Sequence, residues 1–326
     1  MIIYKLIINK IIIFILLCIA IQFLLIVNYF KNFIYKYFLL KEIDLKKKYG
    51  ENSWVLITGC SSGQGKLLAL EFAKRDFNII LSGNIKIKNI EKEITEKYNV
   101  KTKCIIVDFS KAYKKNFFKP FEKVLKSIDN NLSILVNNVA QRVAWNPYHE
   151  MPDNIINDCI VCGTIVQSRL TKIALKNFNN RNKKYKCAII NITSMCLSSN
   201  FWFAEYGEIS VPYLSVYEGA NAFGYYHSNS IEKEYGENID ILNITPGAVL
   251  TENTQFLKDI PFNIDAETYV KNIIKLLGNY NGQQYAYWGH DISSILSNFI
   301  SSYKKHILYK TGKIISDNYM KLHKKY

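Results

Sequence analysis

Three glycines, Gly59, Gly63 and Gly65, follow the apolar run Trp54-Val-Leu-Ile-Thr58 and precede a helical pattern from Lys66 to Lys74. A strand that feeds a glycine turn into a helix start can hold a nucleotide phosphate. Glycine lets the backbone turn tightly and approach a pyrophosphate, while the first turn of a helix offers N–H groups without partners. The spacing is T-G-x-x-x-G-x-G rather than G-x-G-x-x-G. Gly65-Lys66 also suggests an ATP P-loop, but Cys60 stands where its first glycine belongs and Leu67 where its Ser or Thr belongs. The plainer alternative is a glycine turn that holds nothing.

Such a turn works only at the end of a strand, and the rest of the chain supplies the expected frame. Phe77–Leu81 predicts a second strand ending in Ser82-Gly83-Asn84, and Ile87–Tyr98 a charged helix. Lys103–Val107 predicts a strand ending in Asp108, the stretch 116–128 a helix, and Leu132–Val136 a strand running into Asn137-Asn138-Val139-Ala140. One long helix is expected from Pro152 to Phe178, and a strand over Cys187–Ile192 presents Thr193-Ser194. A helix follows Tyr217 to about Tyr235, and strand Ile239–Ile244 ends in Thr245-Pro246-Gly247, with Thr251 beyond. Glu267–Leu277 predicts a late helix and Gln283–Trp288 a last strand. Strands alternating with helices indicate a parallel sheet covered on both faces. At the second strand's end there is no Asp or Glu for the ribose of NAD and no Arg for the 2′-phosphate of NADP. Lys86 and Lys88 supply positive charge nearby, which leans the cofactor towards NADPH.

The chain has 326 residues and a formal net charge of +15. The lysines are scattered, and the balance suits an anionic membrane surface or an acidic substrate such as an acyl-CoA; no motif for reading nucleic acid is present. Seven cysteines form no extracellular framework. Cys159-x-x-Cys162 has no second pair, so reduced, packed thiols are expected and no metal site. Residues 11–27 are an uncharged apolar run long enough for a membrane span. A cleaved signal peptide would be shorter and end in small residues, so a retained anchor is expected. Lys31, Lys36, Lys41 and Lys46–Lys48 outnumber Lys5 and Lys10, which puts the main domain in the cytosol.

Taken in order, Thr58-Gly59…Gly63-x-Gly65, Asp108, Asn137-Asn138-Val139-Ala140, Ser194, Tyr217 and Pro246-Gly247 resemble the short-chain dehydrogenase/reductase family. The likeness is closest to its membrane-bound subgroup of very-long-chain 3-oxoacyl-CoA reductases and 17-beta-hydroxysteroid dehydrogenases. It extends to Ala73-Lys74-Arg75, Ile106-Val107-Asp108-Phe109-Ser110, Asn191-Ile192-Thr193-Ser194, Val211-Pro212-Tyr213-Leu214-Ser215-Val216-Tyr217 and Glu267-Thr268-Tyr269-Val270-Lys271. The resemblance implies a Rossmann-type, doubly wound parallel sheet behind an N-terminal transmembrane helix. It makes Tyr217 the acid that protonates a substrate carbonyl and Ser194 the hydroxyl that polarises it. Thr58, Gly59, Ser61, Ser62, Gly63 and Gly65 would take the cofactor phosphates, and Asp108 the adenine. The Asn137 and Val139 backbone would take the adenosine side, and Pro246 to Thr251 would flank the nicotinamide.

The chain departs from that family in three places. Tyr-x-x-x-Lys reads Tyr217-Glu-Gly-Ala-Asn221, which keeps hydrogen-bonding capacity for the ribose and loses the charge that lowers the tyrosine pKa. The helix asparagine that supports a relay water falls on Gly163. An insertion around Phe201–Ser210 lengthens the Ser194–Tyr217 spacing and makes Tyr206 a rival acid, although Ser210 then holds the lysine place.

Towards the C-terminus, Ile292, Ile295, Leu296, Phe299, Ile300, Tyr303 and Ile307 recur at helical steps. That stripe suits packing on the domain, the membrane interface or a partner. The expected organisation is an anchor over 1–31, a basic linker over 32–50, an NAD(P)-binding catalytic domain over 51–290 and an amphipathic, basic segment over 291–326. The resemblance implies NADPH-dependent reduction of 3-oxoacyl-CoA in fatty-acid elongation at the endoplasmic reticulum. Hydroxysteroid or other lipid-ketone chemistry, or a catalytically impaired cofactor-binding subunit, are the alternatives. Expected partners are a long-chain acyl-CoA or lipid ketone, membrane lipids, other elongation subunits and a second copy in a homodimer.

Overall fold

The computed structural model describes residues 2–139, 145–195, 212–299, 310, 312–317 and 319. They divide into two units, Met1–Lys41 and Glu42–Tyr326. The first holds helix α1 (Ile2–Ile34) and a π-helical turn, Tyr35–Leu39. Asn9–Leu39 has a mean hydropathy of 3.0 and none of its most apolar window is buried, so by length and composition it is a candidate transmembrane anchor. Tyr29, Phe30, Phe33 and Tyr37 cluster at its end beside Lys31, a composition suited to a membrane interface.

The second unit opens with Glu42, whose carboxylate is paired with Arg75. In α2 (Leu45–Tyr49), Asp44 Oδ1 caps the helix by accepting from the Lys47 N–H at 3.0 Å, and Leu45 and Tyr49 are buried. The Tyr49 hydroxyl donates to Asp240 Oδ2 at 2.7 Å, and Lys48 Nζ pairs with the same oxygen at 2.7 Å. Arg181 donates to the Tyr49 carbonyl. A carboxylate only 2% exposed needs such partners, and burial beside it pushes the Tyr49 phenol well up.

The sheet is built from β1 (Trp54–Thr58), β2 (Asn78–Gly83), β3 (Thr102–Ile106), β4 (Leu132–Asn137), β5 (Cys187–Ile192), β6 (Ile239–Ile244) and β9 (Gly282–Gln284). Its order is β3-β2-β1-β4-β5-β6-β9 and every pairing is parallel. β1, β2, β4 and β6 are buried along their whole length, and consecutive apolar residues (55–57, 79–81, 134–136 and 241–242) fill both faces, with Ser133, Asp240 and Asn243 as buried polar exceptions. Between them run α3 (Gly63–Ala73), α4 (Ile87–Lys97), α5 (Lys119–Lys126), α6 (Asp153–Ile160), α7 (Gln167–Asn179) and α8 (Ser215–Tyr235). A short pair, β7 (Val249–Leu250) and β8 (Ile264–Asp265), precedes α9 (Ala266–Leu276), and α10 (Trp288–Phe299) follows β9. The sheet order reverses between β1 and β4, and ligands of such sheets bind at the strand ends above that switch point.

Two elements differ from expectation. The helix expected from Pro152 to Phe178 is broken by a π-helical turn, Val161–Val166, which contains Gly163. Thr164 Oγ1 donates to the Ile160 carbonyl and Ser168 Oγ to the Thr164 carbonyl, both at 2.6 Å, and such back-bonding competes with the regular ladder. The last strand stops at Gln284 instead of reaching Trp288, which begins α10. Gln284 pairs with Ile244, the final residue of β6, so β9 runs out of partner there.

Among the described residues Cys60, Cys159, Cys162 and Cys187 are buried free thiols, and Cys18 and Cys104 are half-buried. Burial pushes Cys60, Cys104 and Cys162 up to about 12 and Cys159 to about 11. In the C-terminal stripe, Ile292 and Ile295 are half-buried on α10 and Leu296 is exposed. Ile300, Tyr303 and Ile307, like the Phe201–Ser210 insertion, lie outside the described residues.

Candidate active site

β1 and β4 end side by side, and one hydroxyl joins them. Thr58 Oγ1 donates to the Val136 carbonyl at 3.2 Å and accepts from the backbone N–H groups of Asn138 at 2.9 Å and Val139 at 3.0 Å. Asn138 answers from the other side, its Nδ2 donating to the carbonyls of Thr58 at 3.0 Å and Gly59 at 3.2 Å. Gly59 takes φ +65°, and a Cβ there would stand 2.8 Å from Val139 Cα. At Gly65 a Cβ would lie 2.4 Å from both Asn138 Nδ2 and the Gly59 carbonyl oxygen. A side chain fits at neither position.

Above this crossing stands the start of α3. Its N-cap, Ser62, makes no side-chain capping bond, so the first-turn N–H groups keep their capacity for an anion. Gly63 has φ +55°, and its Cβ position lies 3.5 Å from Thr251 Cγ2, which brings the glycine turn against the far end of the Pro246–Thr251 segment. Lys66 Nζ pairs with Glu93 Oε2 at 3.0 Å, unlike a P-loop lysine kept for a phosphate. Ser61 is half-buried beside the end of β2, 3.9 Å from the Cβ position of Gly83. Close by in sequence, Lys86 is exposed, while Lys88 pairs with Glu91 at 2.8 Å. Asp108 is exposed at the end of β3 and caps the next turn, accepting from the Ser110 N–H at 3.1 Å.

Asn137 points into the molecule. Its Nδ2 donates to Asn191 Oδ1 at 2.7 Å and Thr171 Oγ1 at 3.2 Å, and Asn191 continues to Ser228 on α8 at 2.8 Å. This buried polar chain fixes β4, β5, α7 and α8 to one another. Beyond the end of β5, the Thr193 N–H donates to Ile244 O at 2.8 Å and the Met195 N–H to Pro246 O at 2.9 Å. Ser194, 6% exposed, is thus held level with Pro246.

Tyr217 sits in the first turn of α8, half-buried against a cluster of Trp145, Leu214 and Ile315 that also takes in Phe256, Leu257, Ile260 and Tyr319. Tyr213, just before α8, holds φ +75°, unusual for a bulky residue. The chain's late residues return to this place. Ser316 Oγ donates to the Trp145 carbonyl at 2.6 Å, and the Cβ position of Gly312 is 3.2 Å from Pro212 Cδ. Asn221, one turn after Tyr217, is buried, and its Nδ2 donates to the Tyr217 carbonyl at 2.8 Å.

Two participants escaped the sequence reading. The Asn138 side chain bonds carbonyls 80 and 79 residues away, a reach that no local spacing reveals. His290, on α10, accepts from the Gly247 N–H through Nδ1 at 3.2 Å. Ala140 and residues 196–211, Tyr206 among them, lie outside the described residues.

The uncapped helix start, two crowded glycines and the switch-point geometry together fit a dinucleotide. The family model for short chain dehydrogenases matches residues 53–260. A very-long-chain 3-oxoacyl-CoA reductase of Rattus norvegicus is 30% identical over 282 residues, 83% of each chain. Hydroxysteroid dehydrogenase-like protein 1 of Gallus gallus is 29% identical, over 79% of this chain and 74% of that one. Among solved structures, a short-chain dehydrogenase from Sphingobium yanoikuyae in complex with NADPH matches the fold with a TM-score of 0.59 at 20% identity, covering 72% of this chain and 87% of that one. The chain belongs to the short-chain dehydrogenase family and is an NAD(P)H-dependent oxidoreductase. Within the family its similarity runs to the very-long-chain 3-oxoacyl-CoA reductase and hydroxysteroid dehydrogenase-like subgroup.

Proposed function

We propose that this protein reduces 3-oxoacyl-CoA to 3-hydroxyacyl-CoA with NADPH during long-chain fatty-acid elongation. It would act from the endoplasmic reticulum membrane, with its main unit in the cytosol. The reading rests on the likeness to the rat reductase over 83% of both chains. The apolar cluster around Tyr217 is a suitable neighbour for an acyl chain.

Thr58, Gly59, Ser61, Ser62, Gly63 and Gly65 would hold the cofactor phosphates, with Asp108, Asn137 and Val139 on the adenosine side and Pro246 to Thr251 beside the nicotinamide. When bound, that ring supplies the hydride that adds to the substrate's carbonyl carbon. Ser194 donates a hydrogen bond to the carbonyl oxygen, drawing charge towards it. Tyr217 gives its phenolic proton to that oxygen as the charge develops and is reprotonated from water. Reduction suits this chain better than oxidation, because a neutral phenol already carries the proton it must give. Lys86, exposed beside the end of β2, is the cation that would favour NADPH over NADH.

A second reading has its own observation. Asn221 brings an amide where the family has an ammonium, and one of its donors is engaged by the Tyr217 carbonyl. That suits a chain that binds cofactor and substrate with weakened chemistry, as a subunit of an elongation assembly. NADPH oxidation with a long-chain 3-oxoacyl-CoA, in membranes carrying the protein or its Tyr217→Phe variant, separates the two. Turnover lost in Tyr217→Phe supports the reductase. No turnover in the native chain, with a gain on Asn221→Lys, supports the weakened subunit. Turnover of a steroid ketone but of no acyl-CoA replaces both with hydroxysteroid chemistry.

A further inference from the structure

The segment from Pro246 to Thr251 has no regular structure of its own before the two-residue β7, yet it is pinned at nearly every position. The Pro246 carbonyl is held by Met195, and the Ala248 carbonyl accepts from Ile264 at 3.1 Å. Thr254 Oγ1 donates to the Val249 carbonyl at 2.7 Å and accepts from the Thr251 N–H at 2.8 Å. Gly247 is held from a different direction. A Cβ there would lie 2.5 Å from Met195 Sδ and 2.7 Å from His290 Cδ2, so the glycine is clamped between the residue after Ser194 and an imidazole from α10.

That imidazole is 1% exposed and faces the rings of Tyr269 and Tyr287. To accept from Gly247 its Nδ1 must be unprotonated, which puts the neutral ring's proton on Nε2. Burial keeps the ring neutral, pushing it down to about 4. An apolar side chain would forfeit the acceptor that Gly247 uses.

We propose that His290 is a positioning residue for the cofactor: through the Gly247 N–H it fixes the Pro246–Thr251 segment at the nicotinamide end of the site. The proposal rests on the reading that this segment flanks the nicotinamide. A leucine at 290 would leave the Gly247 N–H unmet and free the turn to shift. An asparagine places an amide oxygen close to where Nδ1 stands and keeps the bond.

The test uses the detergent-solubilised full chain as native protein, His290→Leu and His290→Asn. Dissociation constants are measured for NADPH, by its fluorescence, and for adenosine 2′,5′-bisphosphate, which has no nicotinamide. The expected result is an NADPH affinity about tenfold weaker in His290→Leu, the size of one lost hydrogen bond, with the adenosine ligand unchanged. His290→Asn recovers most of the loss. Equal weakening of both ligands, weakening of neither, or no recovery by asparagine overturns the proposal. If the leucine protein does not fold, His290→Gln, whose amide oxygen stands one bond further out, replaces it with the same expected pattern. Native protein that binds neither NADPH nor NADH would instead sink the proposed function itself.

Discussion

Tyr217 and Asn221 share one turn of α8, and position 221 brings the phenol no cation. Tyr217→Phe is expected to lower kcat by about 10²–10⁴, the range of a lost general acid, with the NADPH dissociation constant unchanged. Asn221→Lys should raise kcat, most visibly in the oxidation direction, where the phenol must lose its proton first. His290 ties stability to acidity. It titrates near 4 when folded and near 6.5 when unfolded, so between those values only the unfolded chain takes up its proton. Stability from this group is complete above about pH 6.5 and declines as pH falls towards 4, by on the order of 3 kcal/mol. Thermal melts from pH 7 to 4 should therefore be flatter for His290→Asn. The residual slope includes a share from His227, which burial also lowers.

The crossing of β1 and β4 hangs on Thr58, whose hydroxyl serves three backbone groups. Thr58→Val keeps the shape and strands two backbone N–H groups, at about 1–3 kcal/mol each. Calorimetry should show a lower Tm, and NADPH should protect the variant less than it protects the native chain. The strands were legible because β1, β2, β4 and β6 are buried on both faces and carry consecutive apolar residues at their centres. Cys187–Ile192 and Ile239–Ile244 match expectation to the residue. What local pattern cannot show is where a partner ends or a side chain intrudes. β9 stops because β6 stops, and the long helix loosens because Thr164 and Ser168 bond back onto it. At the site, the glycine turn and the residue order were readable. The Asn138 bracket, the His290 clamp and the return of Ser316 to Trp145 were not, since each depends on chain segments brought together only by folding.

The molecule joins an apolar helical unit to a sheet unit with its own core. Removing residues 1–41 should release the protein from membranes in a flotation assay. The thermal shift produced by NADPH should survive, because the cradle lies wholly within the second unit. A truncated protein that still floats with vesicles would assign membrane affinity to the second unit as well. The net charge of +15 would then be the first property to test, by raising the salt.

The clamp on Tyr49 also sets an order in time. Its phenol and Lys48 wait for Asp240, 191 residues further along the chain. A ribosome adding about 5–20 residues per second needs roughly 10–40 s to cover that distance. Throughout that interval α2 has been made while the carboxylate that secures it has not. The stretch beside the first unit, synthesised among the earliest, is among the last to be locked.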